Sequence, residues 1–420
     1  MKILLLGSGG REHAFAWKIA QSAACEALFI APGNAGTAEL GTNVKLNPSD
    51  FEAVWACVQK HQIDCVVVGP EQPLVEGIAD YLRAKDVAVV GPSKAGAQLE
   101  GSKQYSKDFM QKNGIPTATF ASFNQDQLAE ALDYVGQHPL PIVVKASGLA
   151  AGKGVLICET YTEAKEVVED MLSGQAFGEA GRTIVIEQFL KGIEISIFVL
   201  TDGKNYMLLP SAKDYKRIGE GDTGLNTGGM GAISPVPFAN EAFIQRVEKE
   251  IVQPTLQGLQ VENIPYKGFI FIGLMVVEGI PYVLEYNVRM GDPETEVVLP
   301  RIDSDFVELL EGVIHENLNE KKLKINPQTC ATIMLVSGGY PESYEKGKLI
   351  DGLDRLEEAI PFHAGTKKVG EQLLTNGGRV LALSAFGTNI AEAVGHSLRN
   401  AARISFEGKY YRRDIGRDLM

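Results

Sequence analysis

Apolar runs and their spacing divide the chain into three parts. Ile3-Leu4-Leu5-Leu6 predicts a buried strand over residues 2–6, and Gly7-Ser8-Gly9-Gly10 separates it from helical spacing over 11–20. Further strands are expected at 27–31, 65–69 and 87–90, with helices such as 51–59 and 74–83 between them. Strands alternating with helices imply a parallel, doubly wound sheet. The later strands also run into glycine and proline turns, at Pro32-Gly33-Asn34, Gly69-Pro70-Glu71 and Gly91-Pro92-Ser93. Ligands of such sheets lie beyond the carboxyl ends of the strands, so these turns are expected to converge on one edge.

From about residue 101 the pattern changes to paired extended stretches. These are 141–145 with 155–158, 183–187 with 194–200, and 269–277 with 281–287 around Glu278-Gly279, which is antiparallel patterning. A helix-rich stretch at 300–318 leads into polar 319–324. Strand patterns at 330–337, 363–366 and 378–386, with a terminal helix, read as a small α+β unit. The expected fold class is α/β and α+β multidomain, with units at 1–100, 101–325 and 326–420.

Composition narrows the function classes. A chain of 420 residues, 45% of them apolar, can fill several cores, and a prior of ~150 residues per domain suggests about three. The net charge of -13 argues against nucleic-acid and anionic-membrane partners, while leaving room for a local basic pocket. The five cysteines form no CxxC and are expected to be buried free thiols. The first apolar run is too short for a signal peptide and no run approaches a membrane span, so a cytoplasmic protein is expected.

Four segments carry candidate chemistry. The first glycine loop has Gly7 and Gly9 in Rossmann spacing, but Glu12 stands in the third glycine place. Strand two ends in Ala31-Pro32-Gly33-Asn34, without the acidic residue that would hold a ribose, so NAD binding is disfavoured. A tight turn explains the glycines, but Arg11 at a helix N-terminus opposes the macrodipole unless an anion lies close by. The second loop, Lys145 to Gly154, has glycines at 148, 152 and 154 and lysines at 145 and 153. It lacks the P-loop spacing and joins two strands, which suits a flap over a triphosphate or a plain mobile hairpin. Glu187 to Glu194 forms a strand, a link and a new strand, and such a link can offer backbone groups to an adenine.

The strongest segment is Val283-Leu-Glu285-Tyr-Asn287-Val-Arg289-Met-Gly-Asp292-Pro-Glu294-Thr-Glu296. Period-2 alternation puts Glu285, Asn287 and Arg289 on one face, with Leu284, Tyr286 and Val288 on the other. A carboxylate and an amide oxygen two residues apart suit Mg²⁺, and Arg289 beside them suits phosphate or carboxylate. A polar sheet face with a cross-strand ion pair would produce the same alternation. Lastly, Asp214-Tyr215-Lys216-Arg217 and the glycine-dense 222–231, with Asn226-Thr227, suit a small amino acid or a flexible loop.

Together these segments resemble the ATP-grasp superfamily and, within it, the phosphoribosylamine–glycine ligase family. The resemblance runs the whole chain, through 7–14, 32–37, 68–73, 91–103, 145–155, 214–216 and 226–231. Its most diagnostic piece is Arg289-Met-Gly-Asp-Pro-Glu-Thr-Glu296. Tyr286 and Met290 depart mildly from the family pattern, which often has Phe at the first place and Phe or Leu at the second. The resemblance implies a central ATP-grasp domain with a lid subdomain at about 120–190. It also implies ligation of glycine to 5-phosphoribosylamine through glycyl phosphate, with ATP as cosubstrate and Mg²⁺ (or Mn²⁺) as cofactor. Its partners are then small molecules, and a monomer is expected.

By position, the resemblance implies that Lys103 and Lys145 contact phosphates, and that Gly148, Gly152, Lys153 and Gly154 form the lid. Glu187 and Leu190 flank adenine, and Glu194 holds ribose. Glu285 and Asn287 hold the metal, while Asp214, Lys216 and Arg289 grip glycine and its acyl phosphate. Gly9, Gly10, Arg11 and Asn226 are expected at the substrate. Arg412 and Arg413, a basic pair in a tail that also reads as a solvated terminal helix, are expected at the sugar phosphate. Another ATP-grasp ligase or carboxylase, or a nucleotide sensor without turnover, remains the alternative.

Overall fold

The computed structural model describes residues 1–150 and 154–420. The chain opens with β1 (Lys2–Gly7), α1 (Gly10–Ile19), β2 (Ala27–Pro32), β3 (Thr42–Asn43), α2 (Phe51–His61) and β4 (Cys65–Val68). After these come α3 (Glu71–Glu76), α4 (Ile78–Arg83) and β5 (Ala88–Val90). The strands form one parallel sheet in the order β3-β2-β1-β4-β5. Alternation along β1 divides two cores. Ile3 and Leu5 pack into one with Phe15, Phe271 and Leu335, whereas Leu4 and Leu6 pack into the other with Val54, Leu74 and Ile197. Each fully buried leucine contributes roughly 1.5–3 kcal/mol. The single helix expected at 74–83 is broken by Gly77, which takes a left-handed φ of 104° and separates α3 from α4.

The turn after β1 explains why the Rossmann pattern fails. The Glu12 carboxylate folds back onto the loop, accepting from the Gly9 amide at 2.6 Å and the Arg11 Nε at 2.8 Å. A side chain at Gly7 or Gly69 would overlap it, so the turn is filled from within.

Next come β6 (Phe120–Asn124), β7 (Ile142–Ala146), β8 (Val155–Cys158) and β9 (Thr183–Gln188). They make an antiparallel sheet, β6-β9-β7-β8, with its own core of Phe123, Val135, Val144, Met171 and Ile184. β10 (Ile193–Thr201) and β11 (Tyr206–Leu208) belong to a different sheet. The expected hairpin of 183–187 with 194–200 is therefore wrong: β9 and β10 lie in separate sheets, and residues 189–192 cross between them. The local pattern of two extended runs could not distinguish a hairpin from a crossing.

A short strand β12 (Lys213–Asp214), a ribbon of β13 (Arg217–Gly219) and β14 (Thr223–Asn226), and β15 (Gly231–Ser234) follow. β16 (Gly268–Val277) and β17 (Ile280–Asn287) then form the expected hairpin and complete the sheet β11-β10-β16-β17. The last part contains β18 (Thr329–Val336), β19 (Ala359–His363), the ribbon β20 (Thr366–Val369) with β21 (Gln372–Thr375), β22 (Arg379–Gly387) and a helix at Ile390–Arg403. Its sheet, β12-β15-β18-β22-β19, takes two strands from the middle of the chain. Cys57, Cys65, Cys158 and Cys330 are buried thiols and Cys25 is half-buried. No helix among the described residues is long and apolar enough to cross a membrane.

The last part docks on the first through a histidine pair. His13 Nδ1 accepts from the His363 amide at 2.6 Å, and Asn34 donates to the His363 carbonyl at 2.7 Å. Burial lowers both imidazoles, His13 to about 3 with His363 adding to the effect, and His363 to about 4. Below pH 6.5 the unfolded chain takes up protons that the folded one refuses, so stability is complete above pH 6.5 and falls as pH drops toward 4. Urea unfolding at pH 7 and pH 5 is expected to show a loss on the order of 2–4 kcal/mol from this pair. His13→Asn should remove about half of that loss, and an equal loss in the variant would exclude the pair as its source.

Candidate active site

Two adjoining cavities lie between the sheet β6-β9-β7-β8, the sheet β11-β10-β16-β17 and the first domain. The larger, about 540 Å³, contains an apolar slot with Val143 of β7 and Ile157 of β8 on one side and Met275 and Leu284 opposite. Leu190, from the crossing segment, forms its end. Leu284 is there because of a bulge. Gly273 pairs with Glu285 and Leu274 with Val283, which leaves Leu284 as the extra residue. Simple alternation put Leu284 on the face away from Glu285; the bulge turns it into the slot beside that residue. Gly192 must be glycine, since a Cβ would run into the Val276 carbonyl.

Charge begins where the slot meets the second cavity, of about 340 Å³. Lys145, Asp214, Lys216 and Glu285 line both. Glu187 is 2% exposed and its carboxylate is ion-paired to both Lys107 and Lys145. It thus anchors two lysines and also lines the slot, beside Gln188 and Leu190. Lys107 is depressed to about 8 by burial, which Glu187 partly offsets. Glu194 does not stand alone either, because it pairs with Lys216 at 2.8 Å. Burial works against the Lys216 charge, but Glu194, Asp214 and Glu285 outweigh it and hold its pKa well above the ordinary lysine value.

The inward face of β17 carries Glu285 and Asn287, and Arg289 follows on the same side. Burial opposes the Glu285 charge, yet Lys216, Lys145, Lys103 and Arg289 together keep its pKa below the carboxylate range. Arg289 donates to Glu100 at 2.7 Å and to the Asn287 amide oxygen at 2.9 Å, and pairs with Glu71 at 3.4 Å. No group of three or more His, Cys, Asp or Glu side chains among the described residues could hold a metal. The ionised Glu285 and the amide oxygen of Asn287 nevertheless fit a hard divalent cation whose other ligands are phosphate oxygens and water.

The remaining predicted residues divide clearly. Arg11 lines the charged cavity; its amide donates to Asp292 at 3.1 Å and its guanidinium to the Met290 carbonyl at 2.9 Å. Gly9 and Gly10 let the helix end approach Asp292 and Glu296, whose oxygens a Cβ would meet. Lys103 reaches the Gly148 carbonyl at 3.4 Å, and Gly154 lines the cavity. Gly152 and Lys153 lie outside the described residues. Asn226 is exposed at the rim of the apolar slot, away from the charged cavity.

Arg412 and Arg413 do not reach either cavity. Arg412 is 1% exposed and bound by Asp222 at 2.7 Å and Asp414 at 2.7 Å, while Arg413 is exposed. Residues 410–416 are not helical, and two carboxylates hold the Arg412 guanidinium outside both cavities. In its place the cavity contains Arg379, which pairs with Asp292 at 2.9 Å and donates to the Asp292 carbonyl at 2.7 Å. No local pattern marks Arg379, at the start of β22. Lys107 was findable, since it stands one helical turn after Lys103 on the helix Lys103–Lys112.

Two antiparallel sheets closing on an apolar slot, with lysines and a Glu-Asn pair at its inner end, define an ATP-grasp fold. Family models for phosphoribosylglycinamide synthetase match the N domain at 1–100, the ATP-grasp domain at 101–295 and the C domain at 330–418. A phosphoribosylamine–glycine ligase from Vibrio cholerae is 45% identical over 99% of this chain and 98% of its own length. One from Chlorobaculum tepidum is 45% identical over 99% of each chain. The crystal structure of the Thermotoga maritima phosphoribosylamine–glycine ligase superposes with a TM-score of 0.87 at 37% identity, over 99% of this chain and 100% of that one. The chain belongs to the phosphoribosylglycinamide synthetase, or phosphoribosylamine–glycine ligase, family.

The placement of the tail arginines has a measurable consequence. Arg412→Ala leaves Asp414 and Asp222 without their cation, and chemical denaturation is expected to show a loss of about 3 kcal/mol. Arg413→Ala, at an exposed site, should change stability by less than ~0.5 kcal/mol. Equal effects from the two would contradict the buried ion pair.

Proposed function

We propose that this protein ligates glycine to 5-phosphoribosylamine at the expense of ATP, through glycyl phosphate, releasing glycinamide ribonucleotide, ADP and phosphate. The observation that carries the reading is the Glu285–Asn287 pair at the inner end of the apolar slot, ringed by Lys103, Lys145, Lys216 and Arg289. It sits in a chain whose full-length relatives bear that enzyme's name. The slot of Val143, Leu190, Met275 and Leu284 takes adenine, and Glu194, at its edge, takes the ribose. Lys103, Lys145 and the 148–154 loop take the phosphates.

Glu285 and Asn287 would hold a divalent cation, Mg²⁺ or Mn²⁺. When bound, it supplies charge neutralisation for the transferring phosphoryl group. Lys216 and Arg289 hold the glycine carboxylate and its acyl phosphate by charge, and Asp214 takes the glycine amine. Arg11 and Arg379, rather than the tail arginines, form the basic end for the sugar phosphate. The substrates are small molecules, and we take the enzyme to act as a cytoplasmic monomer.

The test is phosphate release in the presence of ATP, glycine and phosphoribosylamine. Release is expected to require all three, and a panel of other amino acids should fail to replace glycine. Release with neither phosphoribosylamine nor any other added amine nucleophile, or with another acid in place of glycine, would remove the reading. Glu285→Ala and Asn287→Ala should each lower turnover on the order of 10²–10³-fold with an unchanged circular dichroism spectrum, as the loss of Lewis-acid stabilisation worth several kcal/mol requires. Near-parental turnover at low Mg²⁺ in both would refute the metal assignment.

A further inference from the structure

Six carboxylates line the charged cavity: Glu71, Glu100, Asp214, Glu285, Asp292 and Glu294. Glu71 and Glu100 are ion-paired to Arg289, and Asp292 to Arg379. Glu285 is kept ionised by the surrounding cations, which makes it a good ligand and a poor proton acceptor. Asp214 borders both cavities beside Lys216. Glu294 differs from all of these. It is 4% exposed and lines the charged cavity alone, and its hydrogen-bond partner among the described residues is the Ser196 hydroxyl, at 3.3 Å.

Its orientation is fixed by backbone rather than by an ion pair. Gly291 lies directly under the carboxylate, where a Cβ would collide with both oxygens. Pro293, just before it, is wedged against Gly229, which takes a φ of 116°. The charged groups that face Glu294 are Asp214 and Lys216 after β10–β11, Arg289 after β17, and Glu296 from its own segment. Burial, and then Asp214, raise its proton affinity above that of an ordinary carboxylic acid, while Lys216 and Arg289 only partly oppose them.

We propose that Glu294 is the general base for the amine-transfer step, a role that rests on the ligase reading above. The amine nitrogen attacks the carbonyl carbon of the acyl phosphate and the C–N bond forms. The carbonyl π pair moves to oxygen and returns as the C–O bond to phosphate breaks, so that phosphate leaves with that electron pair. The N–H proton passes to the Glu294 carboxylate, which returns it to the departing phosphate. Amine and acyl phosphate become amide and phosphate, and the carboxylate is restored. Positioned bases of this kind contribute typically 10²–10⁴-fold. A buried carboxylate with no ion-pair partner among the described residues is better placed to take that proton than Glu100, which burial also raises but whose oxygens are held by Arg289 and the Val288 amide, or than Asp292, which Arg379 and Arg11 keep ionised.

The experiment compares the full-length parent with Glu294→Gln in two reactions, coupling to phosphoribosylamine and trapping of glycyl phosphate by hydroxylamine as glycyl hydroxamate. The variant is expected to form hydroxamate within about threefold of the parent rate while its kcat for coupling falls at least 10²-fold. In the parent, kcat for coupling should rise with pH through an apparent pKa above the ordinary carboxylate range, and this limb should be missing in the variant. Coupling at the parent rate in Glu294→Gln overturns the proposal. So does an equal loss of both reactions, which would place Glu294 in acyl activation or folding. A parent that forms no glycyl hydroxamate removes the ligase reading itself, and this proposal with it.

Discussion

The cleft depends on carboxylates that hold cations contributed by other parts of the chain. Glu187 on β9 fixes Lys145 on β7 and Lys107 on the helix Lys103–Lys112, Glu194 fixes Lys216, and Glu100 fixes Arg289. Leaving one of the buried charges, at Glu187, Lys107, Lys145 or Glu100, unpaired costs several kcal/mol, whereas Glu194 and Lys216 are more open to water. The pairs therefore decide which segments can pack against each other before any ligand arrives. Glu100 shows the coupling most directly: it takes Arg289 with one oxygen and the Val288 amide, at 2.8 Å, with the other. The end of β17 is thereby tied to the segment leaving the first domain.

The same economy explains the division of the cavity into an apolar and a charged half. The slot draws its walls from two sheets that the crossing at 189–192 joins along the chain, so an inserted planar base would touch both. Beyond it the charges converge, and the two carboxylic acids of highest proton affinity, Glu294 and Glu296, lie in one short buried turn. Burial raises both, and neighbouring carboxylates add to it: Asp214 for Glu294, Asp292 for Glu296. A site that keeps some carboxylates firmly ionised and others close to neutral can bind cations and move protons within a few residues of each other.

The tail reaches the site through Asp418, which lines the larger cavity, while Arg412 acts from outside it. Arg412 binds Asp222, Asp414 accepts from the Gly221 amide at 2.7 Å, and Asp418 takes the Tyr215 hydroxyl at 2.6 Å. These contacts hold the ribbon of β13 and β14 and the residues beside Asp214 and Lys216. With β12 and β15 already in the terminal sheet, the segment 213–234 is anchored by the last part of the chain as much as by the middle.

The sequence by itself determined what short-range geometry controls. Strand alternation put Glu285 and Asn287 on one face and the apolar run of β1 in the interior, and glycine turns marked the ends of the parallel strands. Whole motifs such as Arg289 to Glu296 were specific enough to indicate the family. Only the tertiary structure decided the rest. Leu284 enters the slot because β16 pairs with β17 across a bulge, and Glu187 faces lysines because β9 lies next to β7. Arg379 joins the cavity, and Arg412 is withdrawn from it, because distant acids reach them. Side-chain direction along a strand is fixed by the backbone over a few residues. Pairing, burial and charge neutralisation depend on which remote segments meet, and no local pattern encodes that.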